Sequence, residues 1–143
     1  MKPIHILLVE DNEGDIFLTT EALEDSKVVN EIEAVRDGKA AIDYVLKQGI
    51  YENAKTPDLI LLDINIPFKN GHEVLKTLKQ NDLSKHIPII MLTTSSSERD
   101  INQSYQNYAN TYVTKPVEAD QFLKAITSIE NFWLSVVRLP ERE

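Results

Sequence analysis

Three segments of the chain are nearly unbroken runs of apolar residues: IHILLVE at 4–10, DLILLDI at 58–64 and PIIMLTT at 88–94. A strand with one face in water alternates apolar and polar residues. Continuous runs of this length need cover on both faces, which is the condition of a strand inside a parallel sheet. A shorter run, TYVT at 111–114, and a more polar one, EIEAV at 31–35, complete five candidate strands. The segments between them carry helical spacing. Ile16, Phe17, Thr20 and Leu23 form one stripe, and Ala41, Ile42, Val45 and Leu46 a second, on a helix from Lys39 to Lys47. Val74, Leu75 and Leu78 follow Gly71, and Phe122, Leu123, Ile126 and Ile129 come last. Before these last four, Ile101, Tyr105, Tyr108 and Ala109 make a further stripe, opened by a capping box from Ser95 to Glu98. Strand and helix alternate five times. That order predicts a doubly wound α/β domain whose parallel strands are joined by right-handed crossovers.

A chain of 143 residues suits one domain, which at this size buries roughly two thirds of its unfolded surface. The longest break, Gly49 to Pro57, is no linker, and no repeat or low-complexity tract divides the chain. No apolar run approaches 18 residues and no basic-then-apolar leader opens the sequence, so neither a membrane span nor a signal peptide is expected. With no cysteine, disulfide and thiolate chemistry are excluded, which agrees with a cytoplasmic location. The net charge of −8 argues against direct nucleic-acid binding, since neutralising phosphates needs a basic face. Partners are expected among proteins, cations and small ligands.

In an open parallel sheet, ligands bind beyond the carboxyl ends of the strands. Those ends carry Glu10 and Asp11 after the first strand, Asp63 on the third, Thr93 and Thr94 on the fourth, and Lys115 after the fifth. Adjacent carboxylates repel and raise each other's pKa unless a cation or donors offset them. Clustered carboxylates suit Mg²⁺, which takes hard oxygen ligands and accepts phosphate oxygens beside them. A hydroxyl and an ammonium suit the remaining oxygens of a phosphoryl group. A strand-end carboxylate beside such a metal can itself be a nucleophile and form an acyl phosphate.

VEDN at 9–12, LILLDINIP at 59–67, Gly71, MLTT at 91–94 and TYVTKP at 111–116 together resemble the receiver domains of bacterial two-component response regulators, over nearly the whole chain. The spacing agrees: Gly71 follows Asp63 by 8 residues, Thr93 follows it by 30, and Lys115 follows Thr93 by 22. The resemblance implies a flavodoxin-like, five-stranded (βα)5 domain over residues 1–130. It implies Asp63 as phosphoacceptor, Asp11 and Asp63 as metal ligands, Glu10 as the acid that reaches the metal through water, and Asn65 as a ligand through its backbone carbonyl. Thr93 matches the hydroxyl that closes on the phosphoryl group, Lys115 the ammonium that pairs with it, and Tyr112 the aromatic that swings inward on activation. The Lys115–Pro116 bond is cis in that family and aims Lys115. The implied function is a stand-alone phosphoacceptor that takes a phosphoryl group from a sensor histidine kinase with Mg²⁺, catalyses only its own phosphorylation and dephosphorylation, and signals by shifting the face of its fourth helix, fifth strand and fifth helix. NFWLSVVRLP at 131–140 with LTTSSSERDI at 92–101 is similar to phytochrome-partnered, single-domain response regulators. That finer likeness implies a light-sensing kinase partner and a homodimer. A histidine-containing phosphotransfer protein is a further implied partner.

Other residues carry plainer readings. Glu13 and Asp15 are acids in a first helical turn, where they favour the helix dipole. His5, His72 and His86 have no second ligand at useful spacing and are read as structural. In the tail at 131–143, Phe132, Trp133, Leu134, Val136, Val137 and Leu139 are apolar more than half way round a helix, either a cover for the domain's own core or, as favoured, a contact surface. Two other functions use similar residues. A phosphatase of the haloacid-dehalogenase type places a second acid two residues after its nucleophile, where this chain has Asn65. A phosphorylation-independent adaptor usually loses an acid or the lysine, and this chain keeps them all.

Overall fold

The structure, a computed structural model, describes residues 3–26, 30–94, 109 and 111–129. Five strands, β1 (Ile4–Val9), β2 (Asn30–Val35), β3 (Leu59–Asp63), β4 (Ile89–Thr93) and β5 (Thr111–Thr114), form one sheet in the order β2-β1-β3-β4-β5, parallel at every pairing. The helices among the described residues are α1 (Glu13–Asp25), α2 (Gly38–Val45), α3 (Gly71–Gln80) and α4 (Ala119–Thr127). This is the doubly wound architecture that the apolar runs predict, in the flavodoxin-like form that the resemblance implies. Every residue of β1, β3 and β4 is buried. Their side chains alternate between two cores. Ile6, Leu8, Leu61 and Leu92 pack with α1 and α4 on one face, and Leu7, Val9, Leu62 and Met91 with α2 and α3 on the other. The edge strand β2 is more exposed, which explains its polar sequence.

Three details differ from expectation. Phe17 is 62% exposed, and the face of α1 that meets the sheet carries Ile16, Thr19, Ala22 and Leu23. Phe17 lies about 100° round the helix from Ile16, so its apolar character does not bring it to the core. The break after Gly49 opens with a turn of 3₁₀ helix, Gly49–Tyr51, whose Tyr51 ring packs 5.3 Å from that of Tyr44. β1, β3 and β4 each end one residue sooner than their apolar runs, which leaves Glu10 just past β1, after the strand as expected. Its backbone N–H still donates to Val35 O at 3.0 Å. The helix expected around residues 101–109 and its capping box lie outside the described residues, apart from Ala109, which is buried in the α2–α3 core. The apolar tail at 131–143 lies outside them as well.

The chain leaves β1 for β2 on one side and reaches β3 on the other. The crevice between the ends of β1 and β3 is therefore the point where strand order reverses. The loop that follows β3 is clamped there. Gly71 N donates to Ile64 O at 2.7 Å, and Pro67 O accepts from Gly38 N at 3.2 Å and from Lys69 N at 2.9 Å. The last bond closes a three-residue turn around Phe68, which takes a left-handed φ of 71° and is 86% exposed. Glycine is needed at both clamps. A Cβ at Gly71 would sit 2.4 Å from Asp63 O, and one at Gly38 2.4 Å from Lys69 O, both backbone atoms that cannot swing aside. Gly71→Ala is therefore expected to destabilise the fold by about 2 kcal/mol through forced backbone movement, measured as a lower urea midpoint. An unchanged midpoint would show that the clamp is slack.

Candidate functional site

The rim of the sheet gathers charge that the interior of the sheet excludes. Glu10 is fully buried just past β1, and its Oε2 accepts the Asn12 backbone N–H at 3.2 Å. Asp11, next to it, is exposed. Asn12 caps α1 by accepting the Asp15 N–H on Oδ1 at 2.9 Å, which sets the direction in which the helix leaves the rim. Asp63 ends β3 at 3% exposure, and its Oδ1 accepts the Asn65 N–H at 3.3 Å. Thr93, buried at the end of β4, stands one residue past Leu92, the register partner of Asp63. Thr93 O accepts the Lys115 N–H at 2.7 Å, which ties the end of β5 to the same rim. The Lys115–Pro116 peptide is cis.

Lys115 draws the site together. Its Nζ donates to Glu10 Oε1 at 2.9 Å, Asp15 Oδ2 at 3.0 Å and Asp63 Oδ2 at 3.2 Å, and its side chain is 8% exposed. An ammonium has three donors, and these carboxylates take all of them. Burial by itself would lower the Lys115 pKa, but the bonds to Glu10 and Asp15 and the charge of Asp63 outweigh it and hold the pKa above the usual lysine range. Burial raises the Glu10 pKa. The bond from Lys115 pulls it back, and the nearby Asp63 pushes it further up.

Four carboxylates, those of Glu10, Asp11, Asp15 and Asp63, thus gather at a rim where one ammonium, that of Lys115, bonds three of them, and the imbalance favours a further cation. Glu10, Asp11 and Asp63 each offer an oxygen, all within 4.8 Å of one another. With oxygens about 2.1 Å from an octahedral Mg²⁺, adjacent ligands stand about 3.0 Å apart and opposite ones about 4.2 Å, so these hard oxygens have only to draw together to hold such an ion directly or through its waters. The expected residues Glu10, Asp11, Asp63, Thr93 and Lys115 therefore converge on one rim. Asn65 is exposed beside Asp63. Tyr112 lies deeper: it pairs in register with Met91, two residues short of Thr93, and packs half-buried against the α2–α3 core.

Asp15 is the residue whose part in the rim was missed by sequence reasoning. It does stand in the first turn of α1, with Glu13, but only Glu13 turns outward, to pair with Arg36. Asp15 shares the helix face of Thr19, Ala22 and Leu23, the stripe that meets the sheet, and the i, i+4, i+7 spacing that places those residues also points Asp15 at the rim.

Crowded like charges without a cation destabilise the fold. In metal-free buffer Asp11→Asn is expected to melt a few degrees above the wild type, a gain of about 1 kcal/mol. It should also lose most of the stabilisation that added Mg²⁺ gives the wild type. Thermal melts with chelator and with Mg²⁺ check both halves; equal melting of the two proteins under both conditions would contradict them.

Comparison with known proteins agrees with this geometry. Residues 6–127 match the family model described as the response regulator receiver domain. The response regulator Rcp1 of Synechocystis sp. is 46% identical over 138 residues, 96% of this chain and 94% of the relative. A crystal structure of Rcp1 in its Mn²⁺-bound form superposes with a TM-score of 0.77 at 46% identity, covering 96% of this chain and 99% of that one. The phosphorylated cyanobacterial phytochrome response regulator RcpA gives 0.78 at 46% identity, covering 97% and 99%. Domains of this kind bind a divalent metal and are phosphorylated by histidine kinases. A match over most of the chain, with the acids and lysine of the rim inside it, shows that this protein belongs to the response regulator receiver family.

Proposed function

We propose that Asp63 is the phosphoacceptor of this receiver, that Mg²⁺ is its metal, and that the phosphoryl donor is a phosphohistidine on a sensor kinase. The observation that carries the reading is the convergence on the buried Asp63 of an ammonium at 3.2 Å and of two further carboxylates whose oxygens fit one small cation. Asp11, Asp63 and the backbone carbonyl of Asn65 would hold the ion directly, and Glu10 through water. When bound, Mg²⁺ supplies positive charge to the phosphoryl oxygens and offsets the surplus of acids.

The chain's own residues do the rest. The backbone bond from Asn65 to Asp63 Oδ1 and the ammonium on Oδ2 orient the carboxylate. An Asp63 oxygen attacks phosphorus, the bond from phosphorus to the donor imidazole nitrogen breaks, and the electron pair leaves with the imidazole. The transition state is loose and its charge spreads over the phosphoryl oxygens, so positioning and positive charge supply most of the catalysis. Lys115 transfers a hydrogen bond from Asp63 to a phosphoryl oxygen. The Thr93 hydroxyl, at the end of the neighbouring strand, closes on another. Tyr112 follows Thr93 inward from β5, and the surface around β5 and α4 changes population in response. The protein thereby catalyses only its own phosphorylation and dephosphorylation.

Partners follow from the likenesses. A phytochrome-type kinase is supported by the relative named for a phytochrome, and a homodimer by the apolar residues from Phe132 to Leu139 on a tail at 131–143, distinct from a receiver domain at 1–130. A histidine-containing phosphotransfer protein would be the recipient of the phosphoryl group in a relay. No described helix is long and apolar enough to cross a membrane, and the absence of cysteine suits the cytoplasm.

Incubation with acetyl phosphate and Mg²⁺, read by intact mass, should add one phosphoryl group to the wild type and none to Asp63→Asn or to the wild type in chelator. A full adduct on Asp63→Asn would remove the role from Asp63. For the dimer, light scattering of a chain ending at Glu130 should show a monomer where the full chain is dimeric; a dimer that survives the truncation would sink the contact role of the tail.

A further inference from the structure

Lys115 spends its three donors on carboxylates of two kinds. Glu10 and Asp63 belong to the trio with Asp11 whose oxygens lie within 4.8 Å of one another, and Asp15 does not. If oxygens of Glu10 and Asp63 serve a cation, their bonds to the ammonium loosen, because the incoming charge repels Lys115 and draws on the negative charge of its acceptors. The Lys115 side chain is 8% exposed, so little water reaches it to replace what it gives up. Asp15 is the partner of Lys115 that the cation does not claim.

We propose that Asp15 is a positioning residue for Lys115: its carboxylate holds the ammonium while Glu10 and Asp63 turn to the divalent cation, and so makes the metal-bound arrangement accessible. The inference rests on the reading of the rim as a Mg²⁺ and phosphoryl site. Three features suit Asp15 to the task. Its backbone N–H is fixed by the Asn12 side chain at 2.9 Å, so its carboxylate is presented from a rigid helix end. Its negative charge is favoured in the first turn of α1. Its side chain remains one-third exposed, so it tolerates both a close and a loosened ammonium without being stranded. Glu13, two residues before it, supplies the comparison: it carries the same charge in the same helical turn but pairs with Arg36 at the surface.

The test is the affinity for Mg²⁺ itself, measured by titration calorimetry on the full chain, with folding of each variant checked by thermal melt. Asp15→Asn keeps the size of the side chain and leaves the N-cap bond intact, because that bond uses the backbone of Asp15. It is expected to weaken Mg²⁺ binding about tenfold, within the range of coupling found between directly bonded groups. Glu13→Gln removes a charge from the same turn and should change the affinity less than about twofold, the size of a screened surface effect. The same Asp15→Asn substitution made in a Lys115→Met background should fall to the size of the Glu13→Gln effect, since there is no ammonium left to hold. Asp15→Ser repeats the measurement should the amide variant fold poorly. Equal losses from Asp15→Asn and Glu13→Gln, or a full tenfold loss that persists without Lys115, would overturn the inference and leave the metal site standing. A wild type that takes up no Mg²⁺ would overturn the reading of the site and the inference with it.

Discussion

The Lys115 ammonium, buried among the carboxylates of Glu10, Asp15 and Asp63, is the contact on which the rest of the rim depends. Four acids drawn from the ends of two strands and the start of one helix would repel one another apart without it. It comes from the far end of the chain, 105 residues after Glu10, and arrives only because β5 pairs with β4 and its backbone bonds to Thr93 O. The site is therefore complete only when the whole sheet is. A partly folded domain would present acids with no ammonium, and cation binding and folding are coupled for that reason.

The rim is held against its own repulsion by rigid surroundings. β1 and β3 are buried along their full length, and the loop after Asp63 is pinned by glycines that bring backbone onto backbone. The same rigidity makes a small chemical event legible at a distance. A phosphoryl group added at Asp63, as proposed, would change what Lys115 and Thr93 bond, and the tightly packed strands β4 and β5 would have few ways to respond other than together.

Much of this was legible in the sequence, and the reasons differ by element. Continuous Ile, Leu and Val revealed β1, β3 and β4 because burial on both faces leaves no room for polar residues, and the carboxyl ends of those strands located Glu10, Asp11, Asp63 and Thr93. Lys115 was located in the same way, after the fifth strand, although β5 is short and only partly apolar, and the motif and its spacing added support. Phe17 was misread because an apolar residue beside a core stripe looks like a member of it until the 100° step is followed. The inward contact of Asp15 was missed for the opposite reason. A general preference of acids for helix starts supplied a sufficient explanation, although its place on the stripe of Thr19 and Leu23 pointed inward. Tyr112 could be assigned to β5 but not to a depth, because register between strands is a tertiary property that spacing along one strand does not encode.

If the acids of the rim are gathered to hold a divalent cation at the expense of their bonds to Lys115, a crystal structure grown with Mn²⁺ and phased on its anomalous signal should reveal it. A single ion is expected, bound by oxygens of Asp11 and Asp63 and the carbonyl of Asn65, with Lys115 Nζ still on Asp15 and no longer bonded to both Glu10 and Asp63. An ion elsewhere, or a filled site with all three bonds of Lys115 unchanged, would contradict it.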